Sequence, residues 1–202
     1  MIGVVDYGMG NLHSVEKALQ RLQASAIRLS NPSQAEDCQA LLLPGVGAFD
    51  PAMQKLNSSG WSPALKDWAA AQRPLLGICL GLQLLFDSSA EGEEPGLGLM
   101  PGRVEPLPEQ TQERCPHMGW APLTPTHPSP LLTAGEQPWM YFVHSFAAVA
   151  TDPATVTATA PYGSQAVVAA VGRGSLQATQ FHPEKSGLCG LALLQRWLNS
   201  VH

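Results

Sequence analysis

Long apolar runs, clustered basic residues and paired cysteines are all missing from this chain of 202 residues. No stretch approaches the ~20 apolar residues of a spanning helix, so a membrane protein of that kind is excluded. Lys and Arg number 11 against 16 Asp and Glu, and the basic residues nowhere cluster. A net charge of -5 without a basic patch gives no electrostatic footprint for nucleic acid or anionic lipid. The four cysteines, Cys38, Cys79, Cys115 and Cys189, are scattered and form no C-x-x-C pair. A zinc site and a disulfide framework are therefore not expected, and no other metal or cofactor motif is read. Met1 to Val5 enters a strand directly, without the basic flank or cleavage site of a secretory leader, so a cytosolic location is expected. The length suits one large domain over residues 1–202.

The first half alternates apolar strands with helical periodicity, the pattern of a mostly parallel sheet covered by helices on both faces. Strands are expected at Ile2 to Val5, Ala26 to Leu29 and Ala40 to Leu43, and a helix capped by Asn11 is expected to run to about Ala24. Pro44-Gly45-Val46-Gly47 reads as a tight loop, followed by helices at Pro51 to Asn57 and Ser62 to Ala71. From Ser88 to Pro138 the chain is rich in Pro and Gly, and antiparallel strands elaborating the same domain are expected there, around Arg103 to Glu105 and Trp120 to Leu123. Further strands fall at Met140 to Val143, Thr155 to Ala160, Val167 to Val171 and Leu176 to Gln180, before a last helix from Leu188 to Ser200. The fold class is thus α/β, a mixed sheet flanked by helices with an antiparallel elaboration.

Chemistry concentrates in Gly77-Ile78-Cys79-Leu80-Gly81-Leu82-Gln83, after the apolar Pro74-Leu75-Leu76. A cysteine flanked two residues away by glycine on both sides reads as a strand turning sharply into a helix with a sulfur at the bend. Unpaired amides at the start of that helix, expected to reach Asp87, favour the reactive thiolate. Taken alone a free cysteine is a small buried side chain, but the elbow and a late His182-Pro183-Glu184 set it in another light. His182 ends a strand at the sheet's carboxyl edge, where ligands bind in open α/β sheets. Two residues on in an extended segment stiffened by Pro183, Glu184 can bond the imidazole, giving a Cys-His-Glu triad, although it reads also as a solvated charge. His13, His127 and His202 read as surface or structural histidines. Oxyanion donors are available in the Leu80 amide and in the glycine turn, Gly47 in particular, although that turn reads equally as a flexible connection.

These residues together resemble the class I, or triad, glutamine amidotransferases, whose G-x-C-x-G-x-Q elbow and C-terminal H-P-E recur here across nearly the full chain. Val4 to Leu12, Leu43 to Phe49, Pro116 to Trp120, Tyr141 to Ser145 and Phe181 to Ser186 are similar to the branch that serves histidine biosynthesis. The resemblance implies a flavodoxin-like fold and a glutaminase in which Cys79 attacks the glutamine amide, His182 moves the proton and Glu184 holds His182. It implies that Gln83 and Glu91 hold the substrate with Gly45, Ser145 and Phe146, and that Gly45 to Gly47 form the oxyanion strand with Leu80. Glu93 and Glu94 compete with Glu91 for its position. The implied partner is a cyclase of (β/α)8 barrel fold in a heterodimer, receiving ammonia, with Asn11, Trp120, Tyr141 and Lys185 near the interface. Asn11 also reads as a helix cap and Trp120 as core. Two positions depart from the common pattern: Ala121, where asparagine is usual, and Phe146, where tyrosine is usual.

Three other readings fit the elbow: a glutaminase serving chorismate, a thiol peptidase, and a scaffold with a relic triad. The last sits badly with an intact Cys79, His182, Glu184 and Gln83.

Overall fold

The computed structural model describes residues 1–109 and 113–201; His202 lies outside them. In chain order the elements are β1 (Ile2–Val5), α1 (Leu12–Arg21), β2 (Ala26–Leu29), β3 (Ala40–Gly45), α2 (Phe49–Ser58), α3 (Trp61–Ala70), β4 (Leu75–Cys79) and α4 (Leu80–Gln83). There follow β5 (Phe86–Ser89), β6 (Met100–Pro106), β7 (His117–Pro122), β8 (Thr124–Pro125), β9 (Trp139–His144), β10 (Phe146–Ala150), β11 (Val156–Tyr162), β12 (Gln165–Arg173), β13 (Leu176–Thr179) and α5 (Gly187–Ser200).

The main sheet has the order β2-β1-β3-β4-β13-β12-β11-β8. From β2 to β13 the pairings are parallel, and from β13 to β8 they are antiparallel. Its central strands are buried on both faces, which is why they read as unbroken apolar runs. In β3, Leu41 and Leu43 join the cluster formed with Phe49, Met53 and Leu56 of α2 and Leu65 and Trp68 of α3. Ala40 and Leu42 point the other way, to Val15 and Leu19 of α1 and Leu194, Trp197 and Leu198 of α5. Burial of each such Leu contributes roughly 1.5–3 kcal/mol. An exposed pair such as Arg28–Glu16 adds little, because water screens it. The two apolar layers, not surface ion pairs, hold the sheet edge that carries the site.

Several boundaries differ from the sequence reading. Asn11 caps α1, its Oδ1 accepting from the Ser14 amide at 3.4 Å, but the helix ends at Arg21 because Gln23 takes a left-handed φ of 56°. Pro44 and Gly45 are the last residues of β3, not part of a turn. The helix expected to reach Asp87 is the single turn of α4, and Phe86 opens β5. The cause is tertiary: the carbonyls of Leu84 and Leu85 accept from the amides of Leu97, Leu99 and Met100, so a returning segment takes the groups a longer helix would use. That region forms a second sheet, β10-β6-β5, in which β5 and β6 run parallel and β6 and β10 antiparallel. β10, an alanine-rich segment of weak strand propensity, was not foreseen and exists through its pairing with β6. β7 and β9 make a separate antiparallel ribbon.

Candidate active site

Three parallel strands converge on one spot. In the β3–β4 ladder Gly45 stands opposite Cys79, and in the β13–β4 ladder Thr179 stands opposite Ile78, so the chain beyond β13 passes beside the cysteine. Cys79 has φ 56° and ψ -112°, a conformation costing a non-glycine residue on the order of 1–3 kcal/mol. Its flanking glycines are dictated by close approach. A Cβ on Gly77 would lie 2.8 Å from the Gly81 carbonyl oxygen, and one on Gly81 would lie 1.9 Å from that of Leu43. The strained bend is thus clamped between β3 and the start of α4.

His182 and Glu184 are both buried, with Nδ1 of the imidazole 2.7 Å from Oε1 of the carboxylate. Among the described residues the imidazole Nε2 and the other carboxylate oxygen, Oε2, have no hydrogen-bond partner. Burial works against charge on His182, but the Cys79 sulfur and the Glu184 carboxylate outweigh it and raise the imidazole pKa from 6.5 to about 9. The ring is an imidazolium at neutral pH.

Cys79 and His182 line a cavity of about 340 Å³ with Gly47, Leu80, Gln83, Glu91, Ser145, Phe146 and Lys185. Gly45 is one residue short of the lining, which begins at Val46. Among the three neighbouring glutamates, Glu91 is the one in the cavity wall, its Oε2 accepting from the Phe49 amide at 2.9 Å and so capping α2. The amides of Glu93 and Glu94 instead donate to the Asp50 carboxylate. Gln83 donates through Nε2 to the Phe146 carbonyl at 3.1 Å and to the Gln180 side-chain oxygen at 3.0 Å.

Sequence reasoning passed over His144, which also lines the cavity. Its Nδ1–H donates to the Phe146 carbonyl at 2.8 Å, which leaves Nε2 to accept from Nδ1–H of His117 at 3.2 Å. Burial pushes His144 down from 6.5 to about 4, so it is neutral near pH 7. Its signal lay in the Tyr141-to-Ser145 segment, where alternation along a strand turns His144 inward.

Of the residues expected near a partner, Lys185 lies in the cavity wall, and the carbonyl of Tyr141 accepts from the His182 amide at 2.9 Å. Trp120 is 52% exposed, which corrects the reading of it as core, and it meets Tyr141 across the β7–β9 ribbon with ring centroids 5.9 Å apart. Met118 on the same face of β7 is also exposed. Ala121 turns the other way, buried opposite Met140, so this position faces the core. Among the described residues no three His, Cys, Asp or Glu side chains gather as a metal site would need, and no helix is long and apolar enough to cross a membrane.

Residues 3–197 match the family described as glutamine amidotransferase class-I. The imidazole glycerol phosphate synthase subunit HisH of Synechococcus sp. (strain CC9902) is 55% identical over 202 residues, 100% of this chain and 95% of the relative. The subunit HisH of Prochlorococcus marinus (strain MIT 9211) is 50% identical over 202 residues, 100% of this chain and 95% of that relative. Among solved structures, a glutamine amidotransferase crystal structure superposes with a TM-score of 0.77 at 21% identity, covering 99% of this chain and 97% of that one. PurLQS from Thermotoga maritima gives a TM-score of 0.73 at 20% identity, covering 100% of this chain and 98% of that chain. At such identities the two structures speak for the fold, whereas the sequence matches speak for descent: this chain belongs to the class I glutamine amidotransferases and, within them, to the imidazole glycerol phosphate synthase HisH subunits.

Proposed function

We propose that Cys79, His182 and Glu184 hydrolyse L-glutamine and that the ammonia passes to a cyclase subunit making imidazole glycerol phosphate and aminoimidazole carboxamide ribotide in histidine biosynthesis. The observation that carries this reading is the meeting in one cavity of a strained, buried cysteine with an imidazole that Glu184 braces from behind. The Cys79 sulfur attacks the side-chain amide carbon of glutamine, forming a C–S bond. His182 gives its Nε2 proton to the departing nitrogen, the C–N bond breaks, and ammonia leaves a thioester. Water, deprotonated by the now neutral imidazole, then releases glutamate and the thiolate. Glu184 fixes the ring through Nδ1 and stabilises its positive form. The Leu80 and Gly47 amides receive the oxyanion. Glu91, Gln83, Ser145 and Phe146 hold the amino-acid end of the substrate, with Gly45 shaping the strand behind them.

Ammonia is mostly protonated near neutral pH and then not nucleophilic, so a sealed passage into a second protein preserves the reactive form. A (β/α)8 cyclase in a one-to-one heterodimer fits this need. Its contact surface is the exposed ribbon face of Trp120 and Tyr141, with Asn11 and Lys185 beside it.

The test is glutamine turnover by the chain alone and with the cyclase plus its nucleotide ligand. Low turnover alone and strong stimulation in the complex are expected. Cys79→Ala should abolish glutamine-dependent cyclisation while leaving cyclisation from added ammonium salt. Stimulation by a chorismate-binding subunit instead, or full turnover alone, would overturn the proposal.

A further inference from the structure

Gln180 follows the last residue of β13 and, by the register that sets Thr179 opposite Ile78, falls opposite Cys79. Gln180 bonds the Cys79 sulfur and His182 lines the same cavity as Cys79, so both face the elbow. The side chain of Gln180 is wholly buried, at 0% exposure, where an amide must find partners for both its ends.

Those partners are specific. Oε1 of Gln180 accepts from Nε2 of Gln83 at 3.0 Å, and Nε2 of Gln180 donates to the sulfur of Cys79 at 3.9 Å. The orientation of the two amides follows from one backbone group. The Phe146 carbonyl can only accept, so the Gln83 end that meets it must be nitrogen. The second N–H of Gln83 then requires oxygen from Gln180, which turns the Gln180 nitrogen to the sulfur. The Phe146 carbonyl is itself held by His144 Nδ1.

We infer that Gln180 is a positioning residue for the nucleophile: its side-chain N–H holds the Cys79 sulfur and favours its negative form, with Gln83 locking the amide in the required orientation. This rests on the reading of Cys79 as the nucleophile. A thiolate accepts a hydrogen bond better than a thiol does, so such a donor favours the ionised sulfur. A consequence concerns Gln83. With both N–H bonds occupied inside the protein, it offers a ligand in the cavity only its carbonyl oxygen, an acceptor for a substrate N–H.

The test is the pH dependence of Cys79 alkylation by iodoacetamide in the full chain, followed by mass spectrometry at the Cys79 peptide because Cys115 and Cys189 are free and more exposed than Cys79. Gln180→Met, similar in length but without the N–H, is expected to move the curve to higher pH by about one unit. In the cyclase complex its glutaminase kcat should fall about 10-fold with KM within about twofold, the mark of a lost interaction at the reacting atom. Gln180→Glu still accepts from Gln83 but turns an oxygen to the sulfur, and should move the curve further. It carries the measurement if circular dichroism shows that Gln180→Met does not fold. Curves superposing on the wild type would overturn the inference. Alkylation needs neither glutamine nor partner, so a wild type that hydrolyses no glutamine would refute the glutaminase reading without altering this result.

Discussion

Gly81 packs against the Leu43 carbonyl so closely that a Cβ at that position would lie 1.9 Å from its oxygen. The obstacle is backbone in the centre of the sheet, which has no side-chain rotation by which to yield. Gly81→Ala is expected to lower stability by about 3 kcal/mol or more. Urea unfolding compared with the wild type measures it, and a loss under about 1 kcal/mol would mean that the elbow is not clamped on β3.

The strain at Cys79 predicts an inversion of the usual ranking of alanine and glycine. Both replacements remove the sulfur, but only glycine adopts φ 56°, ψ -112° without cost. Cys79→Gly should therefore be more stable than Cys79→Ala by roughly 1–3 kcal/mol. Equal unfolding midpoints would show that the bend is unstrained.

The two buried histidines near the cavity predict opposite pH dependences. His182 is raised from 6.5 to about 9, so its contribution to stability is complete below pH 6.5 and is lost as pH rises through about 9. His144 is lowered to about 4, so its neutral form is accommodated without loss above pH 6.5 and stability falls as pH drops towards about 4. Denaturant titrations across this span check both slopes. His182→Gln should flatten the alkaline slope, by about 3 kcal/mol at most, and His144→Asn, which keeps a donor for the Phe146 carbonyl, should flatten the acid one. Slopes unchanged by these replacements would assign the pH dependence elsewhere.

Trp120 meets Tyr141 edge to face and is otherwise half exposed. Trp120→Ala should leave thermal stability within a degree or two while weakening the cyclase complex at least ~10-fold, as aromatic anchors do. Calorimetric titration decides this, and an unchanged affinity would move the interface off the ribbon.

How far the site could be read in advance depended on the range of the forces that shape it. The Gly77, Cys79 and Gly81 spacing and the His182-Pro183-Glu184 run are local, and strand periodicity placed both on the same sheet edge. The single turn of α4 was not legible, because the hydrogen bonds that end it come from residues 97 to 100, and a leucine-rich run is compatible with a longer helix. β10 was hidden for a related reason, being weak in propensity and stabilised by its partner strand. Glu91 could not be told from Glu93 and Glu94 in sequence. Only the fold sets Glu91 in the cavity wall, while the amides of Glu93 and Glu94 bind Asp50.

By itself, then, the amino-acid order determined the alternation of strands and helices, the Gly77-Cys79-Gly81 elbow and the neighbouring His182 and Glu184, since each of these is carried by residues within a few positions of one another. The fold alone decided the charge of His182, the neutrality of His144, the choice of Glu91 and the chain of amides from Phe146 through Gln83 and Gln180 to the Cys79 sulfur. Each of these depends on burial and on contacts between residues far apart in the chain, which exist only once the sheet has brought them together.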